Sequence, residues 1–448
     1  MSVDGATHGT TDVVDGSIRT YLAEMGPAWV AGAIAIGPAT MASVITAGAT
    51  FGYTLLWVVV LSAFLGASAQ YLSMRLGLLT EAGIATVVEQ HLGETWAWIL
   101  VIDAVLAAGL AQLVIMKGLA DVSATVTGID ARIWGVTWAV VLAVGLVGRG
   151  YRFIEYTAKL LVSLVIVAFV ASLFLVPIDP TAAAEGLVPR IPAGVDGALV
   201  AAGILGGAVH ITLITMHSYT MRAREWTARD YGLATFDVGV SMLVAFGVYS
   251  LVIFLVAAAV LHSPTIAAGD LSAVTAAQAL GPLVGSNAKW LFLLGLWGAA
   301  VSTLGGNTIV PPYLVADKLG WGTDVSDSRY RALLAAVALL SGLGAFAGGA
   351  FFPLLVLVLA FGLVGTPFAI AVVLYLLNSD AVPEPNSTAA NLGGIALLTV
   401  TTVLAANFVR SRALSDLGDP ISVFIVVFAA LLGVAMLSLG GKFVREAI

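Results

Sequence analysis

Residues 31–53 read AGAIAIGPATMASVITAGATFGY, and this apolar stretch is interrupted near its centre by Gly37 and Pro38. Proline carries no amide hydrogen, so nearby carbonyl oxygens lose their partners inside a helix. At membrane depth, irregular backbone is tolerated only where it is buried in protein or lines a water-filled cavity. The interruption therefore predicts either a kinked packing helix or an unwound segment whose carbonyl oxygens face a ligand.

The composition around this stretch indicates a membrane protein. Of the 448 residues, 60% are hydrophobic and 10% are charged, more apolar surface than a soluble globular protein buries. The first 24 residues are polar and lack the pattern of a cleavable signal peptide, so we expect 1–24 to be a cytoplasmic tail. Cysteine is absent, which excludes disulfides and thiolate metal sites, and the net charge of −7 disfavours nucleic acid as a partner.

Continuous apolar runs predict an all-α polytopic membrane protein, because a helix satisfies its own backbone in lipid and about 20 residues cross a bilayer. About twelve spans are expected, at residues 27–48, 53–78, 95–119, 132–149, 153–176, 198–221, 231–262, 285–310, 329–350, 353–378, 389–410 and 420–440. With the N-terminus in the cytoplasm, 13 of the 19 lysines and arginines fall on or near that side. The positive-inside rule then places both termini in the cytoplasm of a cell-membrane protein. The partner is the lipid bilayer; the oligomeric state stays open, and a monomer fits.

The sixth predicted span is interrupted as well. Residues 202–212 read AGILGGAVHIT, a glycine-rich run that carries His210. Two spans broken near mid-depth, the first and the sixth, are typical of transporters built from inverted repeats. We therefore expect repeats at 25–178 and 195–380, followed by accessory helices within 387–448.

Four stretches resemble the NRAMP (natural resistance-associated macrophage protein) divalent-metal transporters. They are AGATFGYTLLWVVVLSAFLGASAQYLSMRLGLLT at 47–80, GYRFIEYTAKLLVSLVIVAF at 150–169, GILGGAVHITLITMHS at 203–218 and LVLAFGLVGTPFAIAVVLYLLNSD at 357–380. The resemblance spans about residues 25–380. It implies a leucine-transporter-type fold, with two inverted five-helix repeats and about two extra C-terminal helices. It also implies a secondary transporter that works by alternating access.

The chain departs from this family at the residues that hold the metal. Where the family has Asp-Pro-Gly-Asn, this chain has Gly37, Pro38, Ala39 and Thr40. The family's Met-Pro-His corresponds to His210, Ile211 and Thr212. These seven residues are the expected substrate-binding set. The alternative for His210 is a hydrogen-bonded packing residue, and the alternative for both threonines is a hydrogen bond back to their own helix.

The acidic residues that the resemblance leads us to expect in the third span are also missing. Residues 108–113 contain no carboxylate, and residues 354–377 of the tenth span contain no Gln, Asn or charge. Asp103 is the remaining acidic candidate for coupling, and a loose pairing with Lys117 is the alternative. His217, which matches a family histidine, is expected to serve structure or proton access.

Three functions remain open on this chemistry. A site without a carboxylate is a weak trap for a dehydrated dication, but two hydroxyls, an imidazole and free carbonyls suit a largely hydrated ion. The first function is therefore transport of a divalent cation with changed selectivity and weak or absent proton coupling; the identity of any metal is unknown. The second is transport of a small neutral or anionic organic solute, and the third a non-transporting membrane receptor or scaffold. No enzyme motif is recognised, so we expect no catalytic residue and no cofactor.

Overall fold

The computed structural model describes Tyr21, Gly26 and residues 35–148, 152–263, 267–415 and 417–447. Most of the expected tail 1–24 and residues 27–34 of the first predicted span lie outside the described residues. The α-helices are α1 (Pro38–Phe51), α2 (Leu56–Thr80), α3 (Ile84–Leu92), α4 (Glu94–Thr127), α5 (Ala131–Val147), α6 (Arg152–Leu173), α7 (Pro180–Glu185), α8 (Val195–Val209) and α9 (Ile211–Ala223). They continue with α10 (Tyr231–Val238), α11 (Gly247–Leu261), α12 (Ala273–Ala277), α13 (Gly281–Val284), α14 (Ala288–Lys318), α15 (Ser328–Ser341), α16 (Phe351–Leu376), α17 (Thr388–Ser415) and α18 (Pro420–Ala447). A π-helical stretch, Gly239–Phe246, joins α10 to α11.

The helices coincide with the predicted spans. Among the described residues, nine helical segments are long and apolar enough to cross a membrane, and Ala131–Val147 and Leu160–Leu173 are shorter apolar helices. These eleven correspond to the second to twelfth predicted spans, and α1 is the second half of the first. Two helices extend eight residues beyond their predicted ends: α4 reaches Thr127, and α14 continues through Pro311 and Pro312 to Lys318 instead of ending at residue 310. Both prolines are buried, and neighbouring helices can satisfy the backbone groups that a membrane proline frees.

The interrupted spans lie at the centre of the molecule. The apolar part of Asp196–Ala223, which contains α8 and α9, is 100% buried, whereas the share is 22% for Pro420–Phe443 at the periphery. The helix α8 packs against α16, α1 against α11, and α14 against α4 and α6. The two broken spans are therefore surrounded by protein rather than lipid, as irregular backbone at membrane depth requires.

Glycines on α8 allow the central helices to approach closely. A Cβ atom on Gly206 would meet the backbone carbonyl of Leu359 on α16, and one on Gly207 would lie 2.5 Å from Thr40 Oγ1 on α1. Backbone cannot move aside as a flexible side chain can, so larger residues there would push the helices apart. The glycine-rich run thus brings the interruptions of the first and sixth spans together.

Candidate functional site

The first interruption lies where the sequence predicts it. Gly37 is extended, with φ −71° and ψ 179°, and α1 begins at Pro38, whose fixed φ suits the first position of a helix. The first backbone hydrogen bond of α1 runs from Met41 N to Gly37 O at 3.2 Å. No side chain caps this helix end. Thr40 Oγ1 has no hydrogen-bond partner among the described residues, so the alternative of a bond back to its own helix is wrong for Thr40.

The second interruption is His210, whose backbone is extended between α8 and α9 at φ −55° and ψ 136°. The imidazole Nδ1 lies 2.8 Å from Thr212 Oγ1 and accepts the Thr212 amide hydrogen at 3.4 Å. These contacts place Nδ1 at the first amides of α9, so the side chain of His210 is the N-cap of this helix. The other ring nitrogen, Nε2, is buried and has no hydrogen-bond partner among the described residues.

The helix α16 closes the other side of this second interruption. The Thr366 hydroxyl donates to Val209 O, the last carbonyl of α8, at 2.7 Å. The His210 ring lies directly against Gly362, where a Cβ atom would overlap Nε2. The polar atoms of the second interruption are thus largely used to hold its own backbone in place.

A cavity of about 40 Å³ lies between the two interruptions. Five of the seven predicted binding residues line it: Gly37, Ala39, Thr40, His210 and Thr212. Pro38 and Ile211 belong to the interruptions but are not among the lining residues. The wall also includes Ala111, at the middle of α4, so the cavity lies near the middle of the long helices.

The middle of α14 adds two polar residues that the sequence analysis missed. Thr303 and Asn307 line the cavity together with Thr40, and both are 4% exposed. Asn307 Nδ2 donates to Ala108 O at 2.9 Å and to Gln112 Oε1 at 3.0 Å, both on α4. An asparagine in the centre of an apolar span is itself a signal of function, since polar groups are costly there.

The cavity carries no charged residue among its lining side chains. Within the part of the chain that the structure describes, no three His, Asp or Glu residues come together as a metal site. Any cation in the cavity would therefore meet hydroxyl, amide and backbone oxygens, with the imidazole of His210 beside them. Such neutral oxygens suit a hard cation that keeps several of its waters.

Asp103 and His217 lie outside this cavity. Asp103 is 1% exposed on α4, and its carboxylate lies directly against Gly365 of α16. The pairing with Lys117 is wrong, because Lys117 Nζ forms an ion pair with Asp121 Oδ2 at 3.1 Å, one turn along α4. His217 is fully buried, and neither ring nitrogen has a partner among the described residues.

Comparison with known proteins identifies the family of this chain. The natural resistance-associated macrophage protein-like family matches residues 28–411. The divalent metal cation transporter MntH of Mycobacterium tuberculosis is 29% identical over 377 residues, which cover 82% of this chain and 86% of that protein.

Solved structures share the fold. The Eremococcus coleocola manganese transporter superposes with a TM-score of 0.71 at 19% identity, over 94% of each chain. MhsT in complex with L-phenylalanine superposes with a TM-score of 0.57 at 15% identity, over 87% of this chain and 98% of that one. These likenesses confirm the predicted all-α membrane fold of the leucine-transporter type. With a family match over most of its length and a common fold, the chain belongs to the NRAMP family, whose members are transport proteins rather than enzymes.

Proposed function

We propose that this protein is an alternating-access transporter for a divalent cation that keeps part of its water shell. The observation that carries the proposal is the cavity between the two helix interruptions, lined by Thr40, Thr303 and Asn307 but by no carboxylate. The names of its relatives support the ion class, since one is a divalent metal cation transporter and another a manganese transporter. The charge asymmetry of the loops supports cytoplasmic termini, and the two central interruptions support repeats at 25–178 and 195–380 with accessory helices within 387–448.

The donor set decides which cations fit. A fully dehydrated dication needs anionic ligands or many strong oxygens, whereas retained waters supply oxygens of their own. Soft thioether and thiolate ligands, which select softer transition metals, are missing from the lining. We therefore expect oxygen-preferring cations such as Mg²⁺ and Mn²⁺ to be bound weakly and with little discrimination. Proton coupling should be weak, because no lining side chain is a carboxylate.

The size of the cavity favours an ion over an organic molecule. Its volume is about 40 Å³. A cavity needs about 10–15 Å³ of such space to hold one water, so an ion with about two ordered waters fits here. A solute of amino-acid size would require the helices around the cavity to separate.

A small anion or neutral solute is the second candidate, favoured by the uncapped start of α1. The first amides of a helix point outward with partial positive charge and attract negative groups. Gly37, the N-cap residue, has no side chain that could accept hydrogen bonds from these amides. A receptor or scaffold that has lost transport is less well supported, because such a protein gains nothing from a buried cavity lined with unpaired hydroxyls.

Uptake by purified protein in liposomes tests the proposal. Mg²⁺, Mn²⁺, inorganic phosphate and a small amino acid would be offered separately, with Thr40→Val and Thr40→Ser beside the wild type. We expect uptake of the cations, strong loss in Thr40→Val, which keeps the shape but removes the hydroxyl, and retention in Thr40→Ser. Thr40→Leu, which also fills the cavity, should abolish uptake.

Thr46→Val is the matched control. Thr46 lies on the same helix, is 1% exposed and also has an unpartnered hydroxyl, but it does not line the cavity. Uptake of phosphate or amino acid without cation uptake would replace the first candidate with the second. Uptake unchanged in Thr40→Leu would refute the placement of the site.

A further inference from the structure

We infer that Asn307 binds the transported cation through its amide oxygen, and that Gln112 is the positioning residue that holds this oxygen toward the cavity. The inference rests on the proposed function and extends it to α4 and α14, the third and eighth membrane-spanning helices. The inference also specifies the class of ligand. An amide oxygen accepts hydrogen bonds but cannot donate them, so it suits a cation or the hydrogens of a water bound to that cation.

The orientation of the Asn307 amide is determined by its surroundings. Its Nδ2 lies 2.9 Å from Ala108 O. A backbone carbonyl can only accept, so the atom facing it must be the nitrogen. The second hydrogen of Nδ2 goes to Gln112 Oε1 at 3.0 Å, and both donors of the amide are then used.

The orientation of Gln112 is determined in the same way. The Thr308 hydroxyl gives its hydrogen to Leu304 O at 2.5 Å, so its oxygen is free to accept from Gln112 Nε2, also at 2.5 Å. Nε2 of Gln112 therefore faces Thr308, and Oε1 faces Asn307. Carbonyl groups at both ends of this chain of hydrogen bonds fix its direction, and reversing either amide would bring like atoms together.

With both donors engaged on α4, Asn307 has only Oδ1 left for the cavity that it lines. No described residue donates to Oδ1, although Asn307 is 96% buried, as its 4% exposure shows. Oδ1 therefore has no donor from the described residues, and a ligand or water in the cavity would complete its hydrogen bonding. Thr303, one turn earlier on α14, also has an unpartnered hydroxyl at the cavity.

The geometry separates the two candidate cargoes. An anion would meet the negative end of the Asn307 amide dipole with no donor from this residue to compensate. A cation would meet Oδ1 and the hydroxyls of Thr303 and Thr40, which line the same cavity. Asn307 thus compensates in part for the carboxylate that Gly37 lacks, with an oxygen that carries no net charge.

Titration calorimetry of the purified full-length protein with Mg²⁺ and with Mn²⁺, together with liposome uptake of both ions, tests the inference. The contact between a cation and the amide oxygen of Asn307 involves a charged group, so it is stronger than a hydrogen bond between neutral groups. Asn307→Ala removes this contact and should weaken cation binding about tenfold or more. Gln112→Met should weaken it less, because the Ala108 carbonyl still holds Asn307. Gln112→Glu retains the acceptor for Asn307 Nδ2 and should bind cations at least as well as the wild type.

Two controls separate binding from folding. Asn287→Ala removes an exposed asparagine at the start of α14 that caps no amide, and it should bind like the wild type. Thr303→Val keeps the packing and should weaken binding without lowering the melting temperature, because its hydroxyl bonds to no described residue.

The outcomes are distinct. If the wild type transports either ion and Asn307→Ala, with a normal melting temperature, binds it equally well, the inference is wrong while the proposed function stands. Equal losses in Gln112→Met and Gln112→Glu would show a purely structural network and also overturn it. If the wild type takes up neither ion, the proposed function itself fails.

Discussion

The two helix interruptions use the same backbone device for different purposes. At the first, Gly37 has no capping side chain, and the Thr40 hydroxyl has no partner among the described residues. At the second, the imidazole of His210 caps α9, and Thr366 binds the last carbonyl of α8. The first interruption leaves its polar atoms available to a cargo, whereas the second satisfies most of its own. The sequence pattern and the resemblance together assigned both interruptions to substrate binding, and the hydrogen bonds of the structure differ between them.

Among the substitutions that test this comparison, those at His210 should change the stability of the protein most. His210→Ala removes the cap of α9 and leaves a void against Gly362, so we expect a loss of at least about 2 kcal/mol of stability. His210→Asn supplies an efficient N-cap and should recover part of that loss. Thermal unfolding in detergent and calorimetry with Mg²⁺ and Mn²⁺ would measure both effects.

The cation affinities of these variants test whether only the first interruption contacts the cation. We expect His210→Asn to bind both ions within a few-fold of the wild type. His91→Asn, a change of the same kind on α3 away from the cavity, provides the baseline. A selective loss of Mn²⁺ binding in His210→Asn would show that the imidazole is a ligand and that both interruptions face the cargo.

Thr366→Val should have an intermediate effect. It keeps the shape of the side chain but leaves Val209 O without its donor, and a buried unsatisfied carbonyl costs about 1–3 kcal/mol. Thermal unfolding should detect this cost. Thr399→Val is the control, because Thr399 is exposed and its hydroxyl bonds only within its own helix, to Ile395 O at 2.8 Å. Equal melting temperatures for the two variants would mean that α16 does not support the second interruption.

Asp103→Asn should have the smallest effect. Asp103 lies against Gly365, one turn of α16 beyond the Gly362 that contacts His210, and outside the cavity. The substitution preserves shape, so we expect cation uptake to change by less than about twofold. Uptake driven by the ion gradient, with and without an imposed pH gradient, is the measurement, and Asp270→Asn in an exposed loop is the control. Complete loss of pH-driven uptake in Asp103→Asn alone would assign proton coupling to this carboxylate.

The fold was largely predictable from the sequence because its causes are local. Apolar length alone located the second to twelfth spans, since each helix satisfies its own backbone in lipid. Apolar length placed the end of the eighth span at residue 310, yet α14 continues through Pro311 and Pro312. The neighbours of α14, which periodicity does not reveal, support the helix there.

The candidate site was predictable only in outline. Pro38 and the glycine-rich run before His210 identified both interruptions, because proline and glycine act on the backbone wherever they stand. Which atoms remain available there depended on partners far away in sequence: Thr366 lies 157 residues from Val209. Asn307 takes its orientation from Ala108, 199 residues away. Local chemistry decides where a helix breaks, but a polar atom faces a cargo only when packing leaves it without a partner, and that depends on the whole fold.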